Sequence, residues 1–598
     1  MKFSQPKNFS FFNSALFGKL LLFFFTVLIL LFLWAAFWTG RSLQNFSAGQ
    51  FAKAGRQARY AEWAIKGESW LTFQQSDSLF LWQESLHILA ELPNLQTELL
   101  DFTRQNLNPE DAEDATQAGE SQQKILLSLE KMRVSLQKIQ AHWPQAKLAQ
   151  ELLKKKRIQP EKISFTLDRG IEGLELAENF LNREQHYLVI FQNSDELRAT
   201  GGFMGSYATL HYVDGRLQPF AIRDIYDAAG QVSEMPLAEP GAAEYLSADG
   251  RLALQDSNWN PDFPQSAALI LDQFSQVEAK SAQPLQYQGV VAVDLSLLER
   301  VLDLLGPIDL QNTDENHNLL TAENFAQLAR ADRTEFFPGS QEKASFLNQS
   351  FQAIKLQAAR AIAQQPFAWL KLLLTALSQH ELQLYAQDQK LQAFFEQQGW
   401  AGQMLSPDNE HFYFFTESNV GINKVNRGIS RQLFLQSDGR ETQLRLHLSN
   451  QNPNKETPNE NPYLLTATHN HYVDYQRLYL PLESKVESIT LADHSKVPFQ
   501  TRIFQTSQGK KLLEVAFLLT VWAEQDLDVT ITLQESPALY QSPVFFFQKQ
   551  SGVPAYQIDF SYQNGQNFVQ QSQNLDQNRR FDFSVQPETE AALQENIE

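Results

Sequence analysis

Apolar positions along this chain change their period three times, and each change predicts a different layer of the molecule. From Leu20 to Trp38 there is no period at all: 19 residues carry no charge and are broken only by Thr26. Lys19 and Arg41 bound the run, and its length just spans a bilayer core. Trp34 and Trp38 stand near one end, where an aromatic belt meets the headgroups. Lys2, Lys7 and Lys19 precede the run without an acid among them, which predicts a cytoplasmic tail over 1–19 and a signal anchor over 20–39. A cleaved signal peptide is the alternative; the apolar run is long and no clean small-x-small site follows it, which favours the anchor. Everything beyond Arg41 is then expected outside the cytoplasm.

Over 46–182 the period becomes helical. Ile125, Leu129, Met132, Leu136 and Ile139 fall on one face of a helix. Pro93, Pro144 and Pro160 are expected to separate helices. Asn108 to Glu120 (NPEDAEDATQAGE) has little to bury and reads as a mobile acidic loop. Lys154 to Arg157 (KKKR) reads as a solvated helix end rather than a lipid-headgroup patch. The region predicts a helical stalk or bundle holding the next domain off the membrane.

Strands then alternate with helices over 184–400. Tyr187–Phe191 is an apolar strand, and Gly289–Val293 leads through Asp294 into a helix, Leu295–Leu305, stopped by Gly306-Pro307. Thr321-x-x-Asn324 opens another helix that places Arg330 and Arg333 on one face. Further helices are expected over Gln341–Gln364 and Phe367–Gln398. This alternation predicts an α/β sandwich around a buried sheet. Over 410–586 the period falls to two. Arg431–Gln436, the turn Ser437-Asp438-Gly439 and the alternation Leu444, Leu446, Leu448 predict a hairpin, and Tyr475–Leu480, Lys511–Val521 and Val529–Leu533 predict more strands. The fold class expected is therefore α/β plus all-β: a transmembrane helix, a helical stalk, an α/β domain and a C-terminal β-sandwich, ending in a disordered acidic tail over 587–598.

Composition narrows the function. With 49 basic and 69 acidic residues the net charge is −20, which argues against a nucleic-acid partner. There are no cysteines, so disulfides, Cys-ligated metals and thiol nucleophiles are excluded. No phosphate loop ending in Gly-Lys-Ser/Thr, His-Glu-x-x-His or Gly-x-Ser-x-Gly occurs. His469 and His471 are spaced to ligate a metal from one strand face, but an exposed polar strand is the better account.

The strongest candidate chemistry lies in YLVIFQNSDELRATGGFMGSYATLHYVDGRLQPFAIRDIYD, Tyr187 to Asp227. An apolar strand runs into a loop carrying Asp195, Glu196, Arg198 and the glycines Gly201, Gly202 and Gly205, a loose likeness of a phosphate cradle. The segment closes on Arg223-Asp224. Together with Arg330, these residues supply guanidinium forks for phosphate oxygens and carboxylates for a divalent ion. A polar loop wetted at a strand end is the plainer alternative.

The segments QNSDELRATGGFMGSY, PDFPQSA, GVVAVDLSLLERVLDLLGPIDL, LTAENFAQLAR and ESNVGINK resemble an uncharacterised bacterial envelope family, known only as domain of unknown function number four thousand and twelve. The resemblance runs from about Leu181 to the end of the β-module. The order of elements is also similar to the LytR-CpsA-Psr family of membrane-anchored phosphotransferases. That second resemblance implies an extracytoplasmic enzyme moving glycopolymers from a polyprenyl pyrophosphate carrier to the cell wall, with Mg²⁺ as cofactor. It implies that Arg198, Arg223, Arg330 and Arg333 bind phosphate, that Asp195 and Asp224 hold the metal, and that Arg223, Asp224 and Arg330 are catalytic. FAIRDIYD (Phe220–Asp227) looks like the family's Ser-x-Pro-Arg-Asp segment. The chain departs from that pattern where the family has a metal-binding Asp, here Gly202 or Phe203, and where Asp332 replaces the second Arg of Arg-x-Arg. The alternative expectation is a non-catalytic envelope protein with a degenerate phosphate pocket. Its expected partners are the membrane, a polyprenyl-phosphate glycan or other envelope polymer and, through the β-module, an envelope protein.

Overall fold

The computed structural model describes seven positions between Trp34 and Asn45, then residues 50–584 apart from 73–76, 108–114, 156–159, 215, 219, 311–318, 326–340, 456–460, 462–463, 465–468 and 566. The anchor expected over 20–39 falls outside the described residues except at Trp34, Phe37 and Trp38. Among the described residues no helix is long and apolar enough to cross a membrane. The acidic tail lies outside them as well. Contacts divide the chain into two compact units, one reaching to Glu184 and including Val213–Arg216, the other formed by the remainder from Gln185 onward.

The first unit is helical: α1 (Phe51–Thr72), α2 (Asp77–Leu107), α3 (Ala115–His142), α4 (Lys147–Lys155) and α5 (Pro160–Leu181). Ala58, Ala61 and Ala64 let α1 approach Leu86 and Ala90 of α2 closely, and all are buried. Pro144 and Pro160 do mark element boundaries, at a short 3-10 turn and at the first residue of α5. Pro93 does not: it sits inside the 31-residue helix α2. The reason is tertiary. A Cβ on Gly55 would come within 2.5 Å of the Pro93 ring, so α1 packs directly on the proline and holds the helix through it. The loop expected up to Glu120 is also shorter than its composition suggests, since α3 already begins at Ala115.

The second unit opens with a sheet of β1 (Gln185–Asn193), β2 (Phe203–Val213), β3 (Arg216–Leu217), β4 (Arg223–Asp224), β5 (Gly289–Asp294) and β8 (Leu382–Ala386), in the order β3-β2-β1-β5-β8 with β4 off β2. The short β6 (Ile308–Asp309) and β7 (Leu319–Leu320) pair separately. β1 and β5 are parallel, with Leu188 opposite Val290; their neighbours β2 and β8 are antiparallel. Strand alternation sends Leu188, Ile190, Val290 and Ala292 into a core with Phe263, Ile270 and Phe274 of α8 (Phe263–Glu278), which follows the short helices α6 (Ile225–Ala229) and α7 (Ala242–Tyr245). Val189 and Phe191 point the other way, toward Phe351. Both faces of the sheet are thus covered, as a parallel pair requires.

The β5–helix junction follows the sequence closely: α9 spans Leu295–Leu305, and Gly306 at φ 76° ends it. After α10 (Gln341–Gln364), the helix expected over Phe367–Gln398 is split into α11 (Pro366–Ser378) and α12 (Gln389–Gln398) with β8 between them. His380 takes a left-handed φ of 60° where α11 stops, and Leu382–Ala386 then satisfies the open edge of β5.

Two six-stranded sheets form the C-terminal sandwich. One contains β9 (His411–Thr416), β12 (Tyr472–Pro481), β14 (Phe499–Gln505), β15 (Lys511–Val521), β17 (Val544–Gln548) and β20 (Arg579–Asp582). The other contains β10 (Ile429–Ser437), β11 (Glu441–Asn450), β13 (Lys485–Leu491), β16 (Gln525–Gln534), β18 (Tyr556–Asn564) and β19 (Asn567–Leu575). The predicted hairpin is β10–β11, turning through Asp438 and Gly439. Inward residues of both sheets, Leu444, Leu446, Leu448, Val515, Ile531, Phe545 and Phe560 among them, fill one apolar core.

Candidate functional site

Ligands of open α/β sheets bind outside the carboxyl ends of parallel strands, and here β1 and β5 end together. Their loops, with the start of α9, form one wall of a crevice of about 310 Å³; the β-sandwich module forms the other. Asp195 and Ser194 follow β1, Ser296 and Glu299 lie on α9, and Glu381 precedes β8. Facing them are Arg427, Arg431, Lys549 and Asp576. Four carboxylates and three cations thus share one polar space.

Arg427 bridges the two walls. Its Nε donates to Asp195 Oδ1 at 3.2 Å and its Nη2 donates to Glu299, yet its side chain remains 46% exposed. Arg431 is spoken for: its fork is bidentate on Glu417, at 2.5 and 2.8 Å, which also accepts from the Tyr472 hydroxyl. Lys549 Nζ donates to the Gln550 and Val553 carbonyls. Burial pulls its pKa down to about 8, against the pull of Glu381 and Asp294, so the ammonium is still mostly charged at neutral pH. Burial raises the Glu381 carboxyl, while Arg300 at 3.2 Å opposes that shift.

Arg198 faces the opposite way. It is fully buried, donating from Nε to Asp256 (3.2 Å), from Nη2 to Glu196 (3.1 Å) and from Nη1 to the Leu197 and Asn419 carbonyls. Burial alone would lower its pKa, but the Asp256 and Glu196 carboxylates hold it above the ordinary value. The guanidinium expected to bind phosphate is therefore occupied within the fold. The glycines nearby serve close packing rather than a cradle. Gly201, at φ 139°, leaves no room for a Cβ because Asp294 Oδ1 would lie 2.3 Å away, and a Cβ on Gly552 would strike the Gly201 carbonyl. Asp294 itself is buried, accepting from Gln192 (3.0 Å) and Ser551 (2.6 Å), and burial raises its pKa well above the usual carboxylate range.

The other expected residues are dispersed. Asp224 caps α6, accepting from the Tyr226 amide at 3.0 Å, while Arg223 beside it is exposed. Both stand on β4, which is separated from β1 by β2, about 10 Å away at ordinary strand spacing. Asp195 and Asp224 thus sit in different surroundings. With a guanidinium already at Asp195, this pair does not fit a magnesium ion: a cation beside the carboxylate opposes a second one. Arg330 and Arg333 lie outside the described residues. His469 and His471 occur not on a strand face but at a turn, where His469 and Asn470 have φ near 60°, and His471 Nδ1 accepts from the Ala523 amide.

What sequence reading missed is the far wall. Arg427 and Lys549 belong to the module read as a separate sandwich, and only the nearby segment ESNVGINK hinted that the two halves are read together.

Residues 182–333 match a family described as "Protein of unknown function (DUF4012)". The match spans β1 to the segment after Thr321, and so holds Ser194, Asp195, Ser296 and Glu299 of one wall but leaves out Glu381 and the wall that carries Arg427. No curated protein matches the chain.

Proposed function

We propose that this chain is a membrane-anchored, extracytoplasmic envelope protein that binds a polyprenyl (pyro)phosphate-linked glycan in the crevice at the ends of β1 and β5, without transferring it. The observation that carries this reading is the mixed-sign lining around the half-exposed Arg427. A sugar phosphate offers hydroxyls that donate to Asp195, Glu299 and Glu381 and an anion that accepts from Arg427 and Lys549. A site for bare pyrophosphate would instead need several uncommitted guanidinium groups; Arg198 and Arg431 are both engaged by carboxylates.

The full chain, purified in detergent and extracted with organic solvent, is expected to yield polyprenyl phosphates by mass spectrometry. Arg427→Ala should lower that yield about tenfold, the loss of one charge-assisted contact. No lipid from the wild-type chain, or equal lipid from the variant, would sink the reading.

Transfer remains the second reading, resting on the exposure of Arg223 at the strand end. In it Arg223, Asp224 and Arg330 act on the pyrophosphate. A hydroxyl acceptor attacking the phosphorus nearest the sugar would expel polyprenyl monophosphate, and acceptor-dependent release of that lipid that falls in Arg223→Ala would favour transfer over binding alone.

A further inference from the structure

The outer face of the sheet containing β10, β11, β16, β18 and β19 takes no part in the crevice. Its inward residues fill the sandwich core, so strand alternation commits the intervening ones to the surface. Ladder register places Thr530, Arg445, Phe434, Asp559 and Ser572 side by side in one row across five strands. The next row brings Gln443, Gln436, Ser561 and Gln570 into line. A groove of about 570 Å³ runs over both rows.

This face is ordered before any ligand arrives. The Arg445 guanidinium sits over the Phe434 ring, 4.2 Å from its centre, so the two side chains hold each other in place. Asp559 accepts from Gln432 (2.8 Å), Gln557 (2.7 Å) and Ser572 (2.8 Å). Partial burial would raise its pKa, but those hydrogen bonds hold the carboxyl below the ordinary range, so it stays ionised and fixed. Phe568, opposite Gln563 at the sheet edge, is 57% exposed and offers a second ring.

We propose that this face binds an extended neutral polysaccharide. The charges of Arg445 and Asp559 offset each other across the row, and the chain's net charge of −20 repels polyanions. Each glutamine amide both donates and accepts, which is what a hydroxyl also does. Neighbouring strands lie about 4.8 Å apart, close to the length of one pyranose unit, so a polymer crossing the strands sets one sugar over each. The inference stands apart from the crevice and survives its failure.

Affinity electrophoresis of the full chain in detergent, through gels containing hydroxyethyl cellulose, dextran or polygalacturonate, tests it. Retardation by a neutral polymer is expected, with the apparent Kd rising about tenfold in Arg445→Ala and Gln443→Lys. Both positions are exposed, so the variants should fold as the wild type does. Arg427→Ala should leave retardation unchanged. Retardation by neither neutral polymer, stronger retardation by polygalacturonate, or equal retardation of wild type and both face variants would each overturn the proposal.

Discussion

Two interior regions of the second unit hold together by opposite means. The sandwich core is mostly apolar, with stacked rings such as Tyr413 on Phe547 at 5.0 Å, and is interrupted by the buried Glu535, which accepts from Tyr413 and Thr442. The seam between the α/β sheet and the sandwich is just as buried but polar. Arg198 reaches across it to Asn419, Arg477 donates to the Trp259 carbonyl at 2.9 Å and stacks on its ring, and Ser551 caps Asp294. An apolar core tolerates small changes in shape gradually, whereas a buried ion pair fails when one partner goes. The seam is therefore where a single substitution should uncouple the module from the sheet.

The largest effect is expected from Arg198→Met, which strands Asp256 and Glu196 in the seam and should cost about 4 kcal/mol. Calorimetry should then resolve two unfolding transitions for this unit, against the one expected of the wild type. A single, unshifted transition would remove the contrast altogether.

Next comes pH. His380 is buried at the seam; burial, and then the charge of Lys549, lower its pKa from 6.5 to about 4, so the folded form keeps the ring neutral. Between those values the unfolded chain binds the extra proton. The contribution of His380 to stability should therefore fall by about 3 kcal/mol as pH drops from 6.5 to 4, while the raised carboxyls of Asp294 and Glu381 act in the opposite direction. Denaturant titrations of His380→Gln should show a flatter profile across that window; an identical profile would contradict the assignment.

The smallest effect belongs to the core. Ile531→Val should cost about 1 kcal/mol, and the loss should be the same at pH 5 and pH 7 because no charge is nearby in the apolar cluster. A pH-dependent loss would blur the distinction between the two regions.

The elements were more legible in the sequence than the site. Period and punctuation placed β5, α9 and the β10–β11 hairpin nearly residue for residue, because local signals such as Gly306 and Asp438-Gly439 fix them. β8 was read as helix, since a short strand between two helices owes its state to the open edge of β5 rather than to its own pattern. The strand-end loop was located correctly as a place of concentrated charge. Its polarity was not, because no local rule says that Arg198 turns inward to Asp256, 58 residues on, while Asp195 turns outward to Arg427, 232 residues on. Pairings at such separations are decided by packing of the whole unit.

The sandwich closes on its own last strands. β17 adds in parallel beside β9, and β18 adds in parallel beside β10, although more than 120 residues separate each pair. A ribosome that has delivered everything through β16 has still left one side of β9 and one side of β10 without a partner, in both sheets at once. A chain emerging N-terminus first must carry those bare edges until its final stretch arrives, and one cut short before Val544 would keep them. Such a truncated product should be a substrate for chaperones and proteases rather than a smaller working protein.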